Sequence, residues 1–344
     1  MKKLVGFLVM FLSFLPACAP GGNTLTVMTH NSFSISAEVV AAFEQDNNVK
    51  LVFLQSGDAG EALNKAILAG EAPLADLFFG VDNTFLSRAL EAGIFEQYNS
   101  PMLSGIPAEF QLDPTGVLLP VDYGDVCLNY DIAWFSVNNL QVPGTLDDLL
   151  NPEYNGLLVV ENPTTSSPGL AFLLATIAVY GDPGYLEYWD SLRGNGLTVV
   201  SDWNTAYYAN FSGSSGRGPQ PLVVSYASSP AAEVIYADPP VDSAPTASVL
   251  GAATCFRQIE FAGILKGTRN RALAEKFMDF MLAVQFQEDI PLQMFMYPVN
   301  PDAQLPQEFT AWAQVPEDPA FLDPGLIADN RDRWLAEWTD TVLR

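Results

Sequence analysis

His30 is the only histidine of the 344-residue chain and stands in a polar tip, Thr29-His30-Asn31-Ser32, that ends an apolar stretch. Two more polar tips, Ser56-Gly57-Asp58 and Gly80-Val81-Asp82-Asn83, end the next two apolar stretches. Such side chains can donate, accept and carry charge at a binding edge. They can equally cap helix N-termini, where Ser, Asp and Asn satisfy free backbone N–H groups, and both readings stand for each tip. Catalysis finds little to work with: neither Cys127 nor Cys255 has an adjacent basic residue, and the chain has no Gly-Lys-Ser/Thr phosphate loop and no metal-spaced cluster. Glu161 and Asp122 are available as an acid and a base, but their spacing demands no pairing. The adjacent phenols Tyr207 and Tyr208 are hard oxygen donors of the kind iron(III) favours, so with His30 they make ferric ion an alternative cargo. These residues point to binding without chemistry and without a cofactor. Half-protonated near neutrality, His30 would make that binding depend on pH.

The elements that must hold these residues alternate. Residues 25–29, 49–55 and 75–81 read as strands rich in Val, Leu and Phe, and 36–45, 60–68 and 83–92 as amphipathic helices. That order is the pattern of βαβ units and a parallel sheet, whose ligands gather at the C-terminal strand ends, where the three tips lie. A second α/β stretch begins near Gly124. It has strands at 157–161, 197–200 and 222–226, helices at 170–180 and 271–284, and a strand-like segment at 252–265. Segments 212–220 and 238–247, rich in Gly, Pro and Ser, read as loops. The apolar run 169–180 is too short to span a bilayer and reads as a buried helix.

Composition sets the surroundings. With 49% hydrophobic and 12% aromatic residues the chain can bury a large core, and its length suits two lobes. Lys2 and Lys3, an apolar run over 4–15 and Ala17-Cys18 form an export leader over residues 1–17, with Cys18 as the acylated N-terminus and 18–23 as a tether. The chain is therefore expected outside the cytoplasmic membrane, anchored by lipid. The net charge is −25, two units more negative without Lys2 and Lys3, which excludes nucleic acid as a partner. The acidity serves either solubility or attraction of a cationic ligand. After Cys18 only Cys127 and Cys255 remain, an even count that suits either a disulfide in an oxidising compartment or two buried thiols.

Several segments together resemble the periplasmic binding proteins of bacterial ABC importers, in particular the thiamine-binding subfamily with the two-lobed type II fold. They are Thr26-Val27-Met28-Thr29-His30-Asn31-Ser32-Phe33, Phe79-Gly80-Val81-Asp82-Asn83, Val121-Asp122-Tyr123-Gly124, Asn162-Pro163-Thr164-Thr165-Ser166-Ser167-Pro168-Gly169-Leu170, Trp203-Asn204-Thr205-Ala206-Tyr207, Val224-Ser225-Tyr226-Ala227-Ser228-Ser229-Pro230 and Met296-Tyr297-Pro298-Val299. Their order and spacing carry the likeness over nearly the whole chain. The resemblance implies an α/β protein of two mostly parallel sheets flanked by helices and joined by two hinge strands. Lobe I would comprise 24–124 and 262–344, and lobe II 125–261. The hinge crossings would lie side by side, which would bring Cys127 and Cys255 together as a disulfide.

The resemblance also implies the cargo, thiamine with or without phosphate, and the partner, an inner-membrane ABC permease that receives it from a monomeric binding protein. Trp203 and Tyr226 match cleft aromatics, and Phe295 and Tyr297 would add apolar surface. Ser166 at a helix start would anchor a hydroxyl or phosphate. His30, Gly57, Asp58 and Asp82 would supply polar contacts. The chain departs from the subfamily pattern at His30, where a tyrosine is expected, and at Phe295, expected as tryptophan. Ala231-Ala232 replaces a stacking tyrosine, and Thr164 replaces an arginine. Free thiamine is therefore expected over its phosphates.

Overall fold

The computed structural model describes residues 23–214 and 217–344. The expected leader, the expected acylation site Cys18 and most of the expected tether lie outside the described residues. Asn23, placed in the tether above, is already in β1 (Asn23–Thr29).

The first wing of the fold comprises β1, α1 (Ala37–Asn47), β2 (Val49–Gln55), α2 (Ala59–Ala69), β3 (Leu77–Asp82) and α3 (Leu86–Glu91). After the short β4 (Phe95–Glu96) comes the long β5 (Leu119–Asp131). The second wing follows: α4 (Ile132–Asn138), β6 (Leu158–Glu161), α5 (Ser167–Tyr180), α6 (Gly184–Gly194), β7 (Thr198–Val200), β8 (Leu222–Tyr226), α7 (Ser229–Ile235) and β9 (Thr246–Val249). The chain returns on β10 (Phe256–Leu265) and ends with α8 (Arg271–Leu282), α9 (Val284–Gln287), α10 (Ile290–Gln293), β11 (Tyr297–Pro298), α11 (Gln307–Trp312) and α12 (Pro324–Val342).

One curled mixed sheet runs β2-β1-β3-β10-β5-β8-β6-β7. Each wing is parallel within itself, β2-β1-β3 on one side and β8-β6-β7 on the other. The long antiparallel pair β5 and β10 joins them. Because β5 and β10 lie side by side, Val126 faces Phe256 in register and Cys127 forms a disulfide with Cys255. The alternation expected from sequence is thus observed, but as two parallel wings of one mixed sheet rather than two separate sheets.

Local chemistry sets several boundaries. Ser36 caps α1 by accepting from the Val39 N–H, and Asp58 caps α2 by accepting from Ala59. Helix α5 begins with Pro168 at its second position and is buried from Ser167 to Ile177, because a helix apolar on every side must be covered on every side. Among the described residues no helix is long and apolar enough to cross a membrane. The segment 238–247, expected as a loop, runs into β9 at Thr246, where Thr246 faces Asp131 of β5.

Of residues 262–344, assigned above to lobe I, α8 packs on β10 and α1, whereas α11 lies against α7 and α12 lies against α6, touching α3 as well. The α12 contact is aromatic and charged. Trp338 meets Trp189 edge to face, Arg333 pairs with Asp182 and Glu337, and the Tyr185 hydroxyl donates to Glu337.

Candidate functional site

Two of the three polar tips of the first wing, at His30-Asn31-Ser32 and at Asp58, face the start of α5 and the segment around Trp203 across one cavity of about 430 Å³, and the third, Gly80-Val81-Asp82-Asn83, does not line it. From the first wing and the segment that follows α10, His30, Asp58, Phe295 and Met296 line it, and Glu260 of β10 joins them. The second wing contributes Ser167, Trp203, Tyr208, Tyr226 and Tyr236. Among the described residues, no Lys or Arg lines it.

Trp203 is the best-positioned flat surface. Its ring stacks on Tyr207 at 5.0 Å and 14°, and its indole N–H donates to Ser225 Oγ at 2.9 Å, which fixes the ring plane. Tyr226, 6.5 Å away and tilted by 60°, donates from its hydroxyl to Gln258 Oε1 at 3.2 Å. Gly124 makes room for it: a Cβ there would lie 2.9 Å from Met296 and 3.0 Å from the Tyr226 ring. Phe295 meets Tyr236 edge to face at 5.6 Å and has φ of +60°, a left-handed backbone that a bulky residue seldom adopts.

Beneath the aromatics lies an acidic floor. Glu260 of β10 faces Asp82 of β3 on one side and Asp122 of β5 on the other, so three carboxyls form a ladder across three adjacent strands. Like charges directly opposite one another repel, and burial sharpens the repulsion. Burial, then the charge of Glu260, raises the Asp122 pKa well above the carboxylate range, and both Asp122 oxygens lack partners. Burial lifts Asp82 to about 6 although Ser167 and Thr84 donate to it. Asp58 is also raised, by burial first, despite the Ala59 N–H at 2.7 Å. For His30, burial opposes the charged form, but the negative charge of Glu260, Asp58 and Asp82 outweighs it and the imidazole is held above its usual value. His30 Nε2 lies 3.5 Å from Glu260 Oε1, an ion-pair distance; no hydrogen bond is made, leaving Nε2 buried and unpartnered.

The remaining expected site residues fall elsewhere. Gly57, with φ of +102°, gives its carbonyl to the Asn31 N–H at 2.8 Å and so joins two tips without lining the cavity. Asp82 is wholly buried under the floor, and its carboxylate accepts from the Ser167 hydroxyl across the two wings. Ser166 is wholly buried, and its neighbour Ser167 faces the cavity instead. Tyr297 packs into a separate cluster with Tyr123, Phe309 and Ala231. Asp122 and Glu161 do not meet as an acid and base pair: Asp122 faces Glu260 across β5 and β10, while Glu161 ends β6 with Asp58 and Asp202 as its charged neighbours. Tyr207 is buried beneath Trp203, so only Tyr208 of the phenol pair faces this cavity.

From sequence, Glu260 and Tyr236 were not expected as lining residues, Tyr208 was expected only as an iron donor, and Met296 only as part of a motif. For Glu260 a signal was present, an acidic residue inside the apolar run 259–265, where burial demands a partner.

A family model described as bacterial extracellular solute-binding protein matches residues 72–318. The thiamine-binding periplasmic protein of Salmonella typhimurium is 31% identical over 97% of this chain and 99% of its own length. A solved periplasmic thiamin binding protein, 29% identical, superposes with a TM-score of 0.81 over 93% of this chain and 96% of its own. A ferric binding protein from Campylobacter jejuni, 18% identical, reaches 0.75 over 92% and 99% and shares the fold. The chain belongs to the bacterial extracellular solute-binding protein family.

Proposed function

We propose that this protein captures thiamine outside the cytoplasmic membrane and delivers it to an inner-membrane ABC permease, without catalysing any reaction. The observation that carries this reading is a cavity walled by Trp203, Tyr208, Tyr226, Tyr236 and Phe295, with Asp58 and Glu260 at its edge and no Lys or Arg in its lining. Aromatic faces and carboxylates suit a flat aminopyrimidine joined to a thiazolium cation. Full-length likeness to thiamine-binding relatives supports the same cargo.

Free thiamine is the preferred form. A phosphate at the α5 start would meet Asp82, which already accepts from Ser167, and Asp58 nearby. The two wings move as lobes about β5 and β10, with α11 and α12 carried by the second lobe, and the ligand closes them. Cys18 anchors a monomer to the membrane by lipid.

The test is mass spectrometry of small molecules released from the purified protein, with calorimetry of thiamine and its mono- and diphosphate on the emptied protein. Thiamine should be recovered and bind most tightly, and heat with none of the three would refute the cargo. Trp203→Ala should weaken thiamine binding by roughly 2 kcal/mol or more, because it removes a buried stacking face.

A further inference from the structure

We propose that Glu260 is the residue that selects a cationic ligand, and that His30 is its counter-cation in the empty site, so that a bound cation displaces a proton from His30. This deepens the thiamine reading and rests on it for the identity of the cation.

The geometry singles out Glu260. It is the central rung of the carboxyl ladder and, of the three, the one that lines the cavity; Asp82 and Asp122 are wholly buried to either side. Burial, then the charge of Glu260, pushes Asp122 towards its neutral form, and Glu260 is the rung of the ladder that opens to the cavity. His30 is 8% exposed, lines the same cavity, and has an unpartnered Nε2 at ion-pair distance from Glu260. A buried donor without a hydrogen-bond acceptor is costly, and the charge beside this one is Glu260, which lines the same cavity.

The groups facing the pair come from every element around it: Asp58 at the cap of α2, Asp82 on β3, Asp122 on β5 and the Tyr226 phenol on β8. With no Lys or Arg in the lining, His30 is the one lining side chain that can answer this negative charge. A thiazolium entering beside Glu260 takes over that role. Two cations within a few ångströms in a site of low dielectric repel, so the imidazolium N–H releases its proton to bulk buffer and His30 remains as a neutral ring. The site exchanges one positive charge for another.

Because His30 is the only histidine, its imidazole proton resonance reports on this pair alone. In the free protein, Glu260→Gln should lower the His30 titration midpoint. Calorimetry of thiamine near neutral pH in two buffers of different ionisation enthalpy should show release of roughly half to one proton per ligand. Glu260→Gln and His30→Asn should abolish the release, while Glu260→Asp, which keeps the charge, should retain it. Glu260→Gln should also weaken thiamine on the order of tenfold or more, yet leave binding of the uncharged thiophene isostere of thiamine unchanged. An unmoved midpoint, proton-free thiamine binding, or equal loss of both ligands would overturn the proposal. A lowered midpoint with no thiamine heat in the unmodified protein would remove the thiamine reading and leave the Glu260–His30 pair standing.

Discussion

At the scale of the residue, the acidic floor makes stability and acidity move together over an unusual range. Asp82 titrates near 6 in the folded chain, against 3.8 for a free carboxyl, so between these values the folded state binds more protons. Stability therefore rises as pH falls from about 6 towards 4, and the penalty is largest above 6. His30 acts in the same sense: its raised imidazole stabilises the fold fully below 6.5 and ceases to do so as pH rises through the raised value. Below the usual carboxylate range the trend reverses, because Asp148, held down by the Gly144 N–H, and Asp182, held down by Arg333, then lose their partners' charge-assisted bonds. The melting temperature should accordingly be higher near pH 5 than near pH 7.5 and fall again below about 4. Asp82→Asn should flatten the first limb, as thermal denaturation across pH would show.

At the scale of the element, the tips depend on backbone that only certain residues allow. Gly80 has φ of +105°, and a Cβ there would come within 2.4 Å of the His30 ring, which also packs on Phe79 at 5.6 Å. Gly80→Ala should cost more than about 1 kcal/mol and push the imidazole towards the cavity, lowering affinity along with the denaturation midpoint. Strand and helix alternation was legible because period and length are local properties, and β1 to β3 lie within a few residues of the stretches read from sequence. From residue types alone the site was legible where a residue follows a strand end, as His30 and Asp58 do, while Trp203, Tyr226 and Phe295, which also line the cavity, were legible through the family resemblance. Glu260 and Tyr236 were not, because their place is set by register across β10 and by the packing of α7, which are pairings between distant segments. Tyr297 failed for the same reason: its motif was plain, but the ring turns into the Tyr123 and Phe309 cluster.

At the scale of the whole molecule, the two wings share a single sheet, and the Cys127–Cys255 disulfide ties together the two strands that join them. The bond spans 128 residues of sequence, for which the chain-entropy model gives about 4 to 5 kcal/mol. Reduction, or Cys127→Ala with Cys255→Ala, should lower unfolding free energy by roughly that amount in a urea titration, and a loss under about 1 kcal/mol would show that β5 and β10 hold each other without it. The third passage of the chain between the wings is of another kind. Eight residues separate β11, which ends at Pro298, from α11, which starts at Gln307 and packs on α7 of the second wing, and Leu305 within them is 37% exposed. Helix α8 packs on β10 and α1, and the terminal helix grips the second wing through Trp338, Trp334 and Arg333. The protein is therefore not divisible by one cut: a protease nicking this stretch would leave a two-piece molecule still clasped by its tail, and neither wing is built from a single uninterrupted segment.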